Sequence, residues 1–413
     1  MNYYDILSSN SINWIKYINN KLEIDYNDSD KNIDEQTVEK LTELWNELDD
    51  KSYDKYFFEF TNQKERKYFL HSIKKVLDNE DLEPIKSNEL FKGEDINKFR
   101  EILFKYIEKI KEIDYPDNLI LNNDKSTLMT FVWIAMGVWW QSLTTNIEYT
   151  SSLCFICLSY IYVDHYFDDN TIQKKNKKQF ADYCYKRLFT QIEPYDVYTT
   201  KINNIMEMME KEYSKEKYLL TYNRLVYLYS IEMKSMKMQT KISLSDQDFL
   251  QLTIEKGYST LDTVLYLIYI NNSEEIDQHK QNFFSLFGLY IQMVDDLVDL
   301  KNDIKHKNYT YLCKLYISKS LNNIDFYVNK INNLIKIMYH YLKNSNVIES
   351  DKEITLKRFK LFSVNILAYG VIKNQENISP ELVEYYKNIY VLDKDDIKNL
   401  KSGFIFKLKN LFK

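Results

Sequence analysis

Apolar residues recur at intervals of three and four along most of the chain. Around residues 96–113 they fall at Ile96, Phe99, Ile102, Leu103, Tyr106, Ile107 and Ile110, the period of a helix with one buried face. The same spacing, carried on from residue 128, predicts helices over 128–147, 150–168, 176–192, 198–218, 219–239, 246–258, 259–271, 277–300, 308–318, 323–344 and 353–373. No stretch alternates polar and apolar as a half-buried strand would. The pattern lapses at "YPDNLILNNDKST", residues 115–127, where Pro116 and a cluster of Asn, Asp and Ser mark a connection. The reading is an all-α chain in three parts: a helical N-terminal region over 1–115 of unassigned role, a main domain over 116–380, and a basic amphipathic tail over 381–413.

Composition strengthens the helical reading. Among 413 residues there are only 6 Gly and 4 Pro, fewer than sheets and long ordered loops usually need at their turns. Hydrophobic residues make up 45%, which suits a large core and excludes a disordered chain. The net charge of −6 comes with no dominant basic block, so no nucleic-acid partner is expected. The N-terminus lacks the plan of a secretory signal, and "MTFVWIAMGVWW" and "LCFICLSYIYV" are too short to span a bilayer. Cys154 and Cys157 form a CxxC without a second pair or nearby histidines, which reads as core packing in a reducing, cytoplasmic setting. The closing "LKSGFIFKLKNLFK" reads either as an ordinary docked or frayed terminus or as an amphipathic helix able to touch an anionic membrane surface, the first being the plainer reading.

Candidate chemistry lies in two acidic clusters. "SYIYVDHYFDD" ends an apolar run in Asp164, Asp168 and Asp169. "FFSLFGLYIQMVDDLVDLKND" ends another in Asp295, Asp296, Asp299 and Asp303. Residues three and four apart share a helix face, so Gly288, Gln292 and these four acids form a stripe, and Asp164 stacks on Asp168. Like charges this close repel unless a cation intervenes. Two such clusters suggest two facing walls of acid, and oxygen donors without neighbouring His or Cys favour Mg²⁺ over zinc.

These residues resemble a known superfamily. "QMVDDLVD" matches the Q-x-x-D-D-x-x-D motif of trans-prenyltransferases at Gln292, Asp295, Asp296 and Asp299. "DHYFDD" has the D-x-x-x-D-D form and is similar to the first aspartate motif of squalene and phytoene synthases and to the looser acidic motifs of terpene synthases. Over about residues 128–345 the chain resembles the class I isoprenoid synthases. The resemblance implies an all-α bundle around a deep central cavity, and a prenyl diphosphate substrate held by three Mg²⁺ ions, with Mn²⁺ as a substitute. By that resemblance Asp164, Asp168 and Asp169 hold metal on one wall, and Asp295, Asp296 and Asp299 on the other. Asp164, Asp168, Asp295 and Asp299 then serve catalysis, and Gln292 and Lys256 serve the diphosphate. "TIEKGYSTLDTVLYL" looks like the lysine-containing helix break of the superfamily, with Lys256 and Ser259 turned toward an anion and Gly257 marking the break. Trp133, Trp140, Tyr160, Phe167, Tyr258 and Tyr290 are candidates for lining a cavity that tolerates a carbocation. A homodimer is one assembly open to such a chain.

The chain also departs from each branch of the superfamily. The first motif lacks the D-D-x-x-D form and the paired arginines of chain-elongating enzymes, and the whole chain has five arginines. "NDIKHKNYT" keeps Asn302 and Asp303 of the N-D-x-x-S-x-x-x-E pattern of terpene synthases without its Ser and Glu. A terpene synthase that ionises one prenyl diphosphate is the leading expectation. A prenyltransferase, elongating or head-to-head, is the alternative. A non-catalytic regulatory subunit with the same fold is the alternative of another class.

Overall fold

A computed structural model describes residues 33–48, 96–120, 122–144, 147–169, 171–271, 276–318, 321–344 and 352–389. These residues form thirteen α-helices and no strand. In chain order the helices are α1 (Ile33–Glu47), α2 (Ile96–Asp114), α3 (Asp124–Thr144), α4 (Ser151–Asp168), α5 (Lys174–Arg187), α6 (Val197–Glu212), α7 (Leu219–Met238), α8 (Asp246–Ile268), α9 (Gln278–His306), α10 (Tyr311–Ile317), α11 (Leu321–Asn344), α12 (Lys352–Lys373) and α13 (Pro380–Ile389). The all-α expectation is met. Among the described residues no helix is long and apolar enough to cross a membrane. The basic stretch at the C-terminus and most of the N-terminal region lie outside the described residues.

Several predicted elements required correction; the helices expected over 176–192 and 198–218 end early, at Arg187 and Glu212. The helices expected over 246–258 and 259–271 are a single helix, α8, with no break at Lys256–Gly257. The helix expected over 277–300 runs on to His306, so Asp303 is helical too. Lys307 ends it in the left-handed conformation at φ 58°, with the Asn308 N–H returning to the Asp303 carbonyl at 2.9 Å. The Lys307 N–H also reaches the Asp303 and Ile304 carbonyls, so the last turn closes on carbonyls that a helix end leaves short of helical partners.

The described residues divide into two compact units. The first draws on 33–48, 231–262 and 277–389. Its axis is α9, which is 29 residues long, begins at the Asp277 cap and packs against α10, α11 and α12. Phe283, Phe287 and Tyr290 follow one another up α9 as stacked rings 5.6 and 5.7 Å apart, with Phe359 of α12 edge-on to the first two. The α1 helix joins this unit through Trp45, set edge-on against Tyr327 at 5.4 Å. The buried Lys330 ammonium donates to the Trp45 carbonyl at 2.5 Å and lies 5.3 Å from the Trp45 ring.

The second unit draws on 96–230 and 263–276. Its α4 helix starts at Thr150, whose hydroxyl accepts the Leu153 N–H, and packs against α2, α3 and α6. Asp196 and Thr199 form a reciprocal cap at the start of α6. Lys201, almost fully buried, donates to the carbonyls of Ile113, Asp114 and Tyr115 at 2.8, 3.0 and 3.0 Å and pairs with Asp117 at 3.0 Å. Its ammonium thereby caps the C-terminal end of α2, where carbonyls lack helical partners. Cys154 and Cys157 are buried free thiols; burial pushes Cys154 up to about 12 and raises Cys157 as well. Both are therefore inert packing groups.

Candidate functional site

The second acidic cluster is shaped by a close helix crossing. Gly257 on α8 meets Gly288 on α9 backbone to backbone: a Cβ added at Gly257 would sit 2.5 Å from the Gly288 carbonyl oxygen, and one added at Gly288 would press closer still on the Gly257 carbonyl. The added carbons would also reach Gln292 and Leu261 respectively. Position 257 thus faces 288 and 292 while 261 faces 288, so the two helices run antiparallel. Gly257 is a contact surface, and its missing side chain is what permits the approach.

The antiparallel run carries Thr253 and Lys256 of α8 to Gln292 and Asp296 of α9. The Gln292 side-chain amide donates to Asp296 Oδ1 at 2.9 Å, and the Thr253 hydroxyl donates to Asp296 Oδ2 at 3.4 Å. Asp296 is 2% exposed. Burial pushes its carboxyl well above the usual range; Asp303 and Asp295 push the same way, against Gln292 and Lys256. Lys256 lies 3.7 Å from Glu232 of α7. Burial works against its ammonium, but Glu232, Asp296, Asp295 and Asp303 outweigh that and hold the lysine above its ordinary value. Lys256 is thus the local counter-charge of the acids.

The other three acids have different surroundings. Asp295 is exposed, whereas Asp299 and Asp303 are half-buried. Lys373 of α12 donates to Asp299 Oδ1 at 3.3 Å. Asn308 donates to Asp303 at 3.1 Å, yet burial, with Asp299 nearby, lifts Asp303 to about 6. The single stripe read from sequence therefore separates into a buried acid, Asp296, whose oxygens are committed to neighbours, and more accessible ones. The accessible donors are carboxylate oxygens, the set a hard divalent cation prefers. Among the described residues no three His, Cys, Asp or Glu side chains converge as a ready-made metal cage.

The first cluster ends α4. Asp164 is half-buried, and the side chain of Asp168 lies outside the described ones. Asp169 stands one residue past the helix, where its Oδ1 accepts both the N–H (2.8 Å) and the hydroxyl (2.7 Å) of Thr171. Those two bonds, first of all, hold its carboxyl below the usual range. Lys177, in the lysine-rich first turn of α5, donates to the Phe167 carbonyl at 2.6 Å and caps α4.

The aromatic candidates divide as well. Trp133 and Tyr160 pack 4.5 Å apart, with Tyr160 partly exposed. Phe167 stands edge-on to Phe180. Trp140 is buried and edge-on to Trp133 at 6.1 Å. Tyr258 and Tyr290 are fully buried, their hydroxyls donating to Asp34 at 2.8 Å and to the Ser363 carbonyl at 2.6 Å. Both are core residues.

Sequence reasoning missed Glu232, Thr253 and Lys373. Thr253 lies one turn before Lys256 and was recoverable from helix spacing, but Glu232 and Lys373 come from other helices and carry no local signal. Compared with protein-family models, with curated proteins and with solved structures, the chain matches none.

Proposed function

We propose that this protein is a Mg²⁺-dependent class I isoprenoid synthase that ionises a prenyl diphosphate and cyclises or quenches the resulting allylic cation. The observation that carries the reading is the Q-x-x-D-D-x-x-D register on an unbroken α9, with Asp296 buried beside Lys256 and gripped by Gln292 and Thr253. A chain that needed these acids only for solubility would have no reason to bury one and supply it with donors. Asp295 and Asp299 are the metal-holding groups on α9, and Asp164, Asp168 and Asp169 those at the end of α4. Bound Mg²⁺ would supply Lewis-acid neutralisation of the diphosphate leaving group. Asp296 orients Gln292 and Lys256, and Lys256 offers a cation to the departing anion. The Trp133–Tyr160 pair offers π-faces to positive charge.

The test is an assay of the purified chain with Mg²⁺ and prenyl diphosphates of ten to twenty-five carbons, each alone and with isopentenyl diphosphate. Diphosphate release is followed, and products are read by mass spectrometry. Hydrocarbon or alcohol from one substrate supports the proposal, and longer or doubled chains would make the protein a prenyltransferase. No release from any substrate would refute both and leave the regulatory subunit. Asp295→Ala and Asp164→Ala are expected to abolish turnover with the fold intact, checked by circular dichroism. A variant that unfolds would argue for a structural role instead.

A further inference from the structure

His165 sits between Asp164 and the end of α4, and both of its ring nitrogens are engaged. Nε2 faces the Asn123 amide nitrogen at 3.4 Å, and Nδ1 faces the Ser126 hydroxyl at 3.4 Å. Asn123 is not free to turn its amide over: its oxygen already accepts the Ser126 N–H at 3.0 Å and so caps the start of α3. The group facing Nε2 is therefore an N–H, which can only donate. Nε2 accepts, and the ring proton is assigned to Nδ1, donated to Ser126.

A second anchor lies one turn back on the same side of α4. The buried Tyr162 hydroxyl donates to Asp114 at 3.0 Å, and Asp114 also accepts the Ile120 N–H at 3.0 and 3.2 Å. The Thr127 hydroxyl ties the same connection down through the Ile120 carbonyl at 2.8 Å. Tyr162 and His165 are three residues apart, so both point from one face of α4 into the 114–127 connection. The helical period places Asp164, with Tyr160, on the opposite face. Tyr162 is buried and Tyr160 partly exposed, as that division requires.

Resting on the function proposed above, we infer that His165, clamped by Asn123 and Ser126, is a positioning residue that fixes the rotation of the last turn of α4 and thereby aims the Asp164 carboxylate. A carboxylate stands roughly 6 Å from the helix axis, so a slip of about 20° would move it by about 2 Å. A displacement of that size is enough to spoil a metal ligand's geometry. Removing a group that hydrogen-bonds a metal ligand directly typically lowers metal affinity by about 10–100-fold; His165 acts through the turn it holds, so a loss at the lower end of that range is expected.

The test uses the full chain labelled with ¹⁵N-histidine, and Mn²⁺ with inorganic diphosphate as the probe. The resonance lost in His165→Phe is expected to show the Nδ1–H tautomer in the wild type. His165→Phe, folded by circular dichroism, is expected to bind Mn²⁺ about tenfold more weakly or worse. Should that variant fail to fold, Asn123→Ser is to be measured, since it keeps a capping oxygen on α3 but cannot reach the ring. The same loss of affinity is expected there. A wild-type Nε2–H tautomer, or an unmoved Mn²⁺ midpoint in a folded variant, would overturn the inference and leave the proposed function standing. A wild type that binds no Mn²⁺ in the presence of diphosphate would sink both.

Discussion

Replacing Gly288 by alanine tests the helix crossing that builds the α9 site. The added Cβ would press on the Gly257 carbonyl oxygen and carbon, and the reciprocal Gly257→Ala would place its Cβ 2.5 Å from the Gly288 oxygen and 2.8 Å from its carbon. An ordinary carbon–oxygen contact is roughly 3.3 Å, so the helices must part by close to 1 Å, and backbone cannot swing aside as a side chain can. Overpacking of this kind costs about 1–3 kcal/mol. Alanine returns about 1 kcal/mol of helix propensity at an interior glycine. Because the clashing atoms are backbone, the upper part of that range, about 2–3 kcal/mol, applies, and after the gain in propensity a net loss of about 1–2 kcal/mol is expected for either variant. Scaled to a chain this long, about 1 kcal/mol moves the melting temperature by about 1 °C, so a fall of about 1–2 °C is expected. Gly137→Ala is the control: its nearest neighbours are the methyl ends of Leu153, which can change rotamer, so a smaller fall is expected. The assay is thermal unfolding of the metal-free protein, read by circular dichroism. Gly288→Ala as stable as the wild type, or more so, would refute the argument, because only propensity would then be acting at that position.

Asp303 predicts a pH dependence for the metal-free protein. Its folded value of about 6 lies above the ordinary 3.8, so between those values the native state holds the proton more tightly. The stabilisation is complete below about pH 4 and lost as pH rises through 6. Asp303→Asn should flatten that slope and raise stability at pH 7.5 by about 1 kcal/mol after allowance for solvent screening, read by urea unfolding at several pH values. An unchanged pH profile would count against the burial of this acid. Lys201→Met leaves three carbonyls at the end of α2 and the Asp117 carboxylate without their donor. A loss of about 3–5 kcal/mol is expected from urea unfolding, and a loss under 1 kcal/mol would mean that water replaces the ammonium at no cost.

The period of apolar residues is a local property, and it predicted most of the helices to within a few residues; α4, expected over 150–168, is observed at Ser151–Asp168. The acidic residues and Gln292 were legible for the same reason, since their spacing along one helix is written in the chain. What misled at Gly257 was a genuine ambiguity: low helix propensity has the same signature whether the helix breaks there or another helix leans on it. Only the Gly288 backbone, thirty-one positions further on, decides between them. Nor does spacing distinguish the four acids of α9. Asp296 is buried because α8 covers it, while Asp295, its neighbour in sequence, is exposed. Glu232 beside Lys256, Lys373 beside Asp299, and Asn123 and Ser126 around His165 are likewise meetings of separate helices. The sequence by itself determined which side chains share a helix face. Which of those faces is wet, which is paired and which is held still was decided by packing, because desolvation and hydrogen bonding depend on the neighbours that folding brings, and those neighbours are distant in the chain.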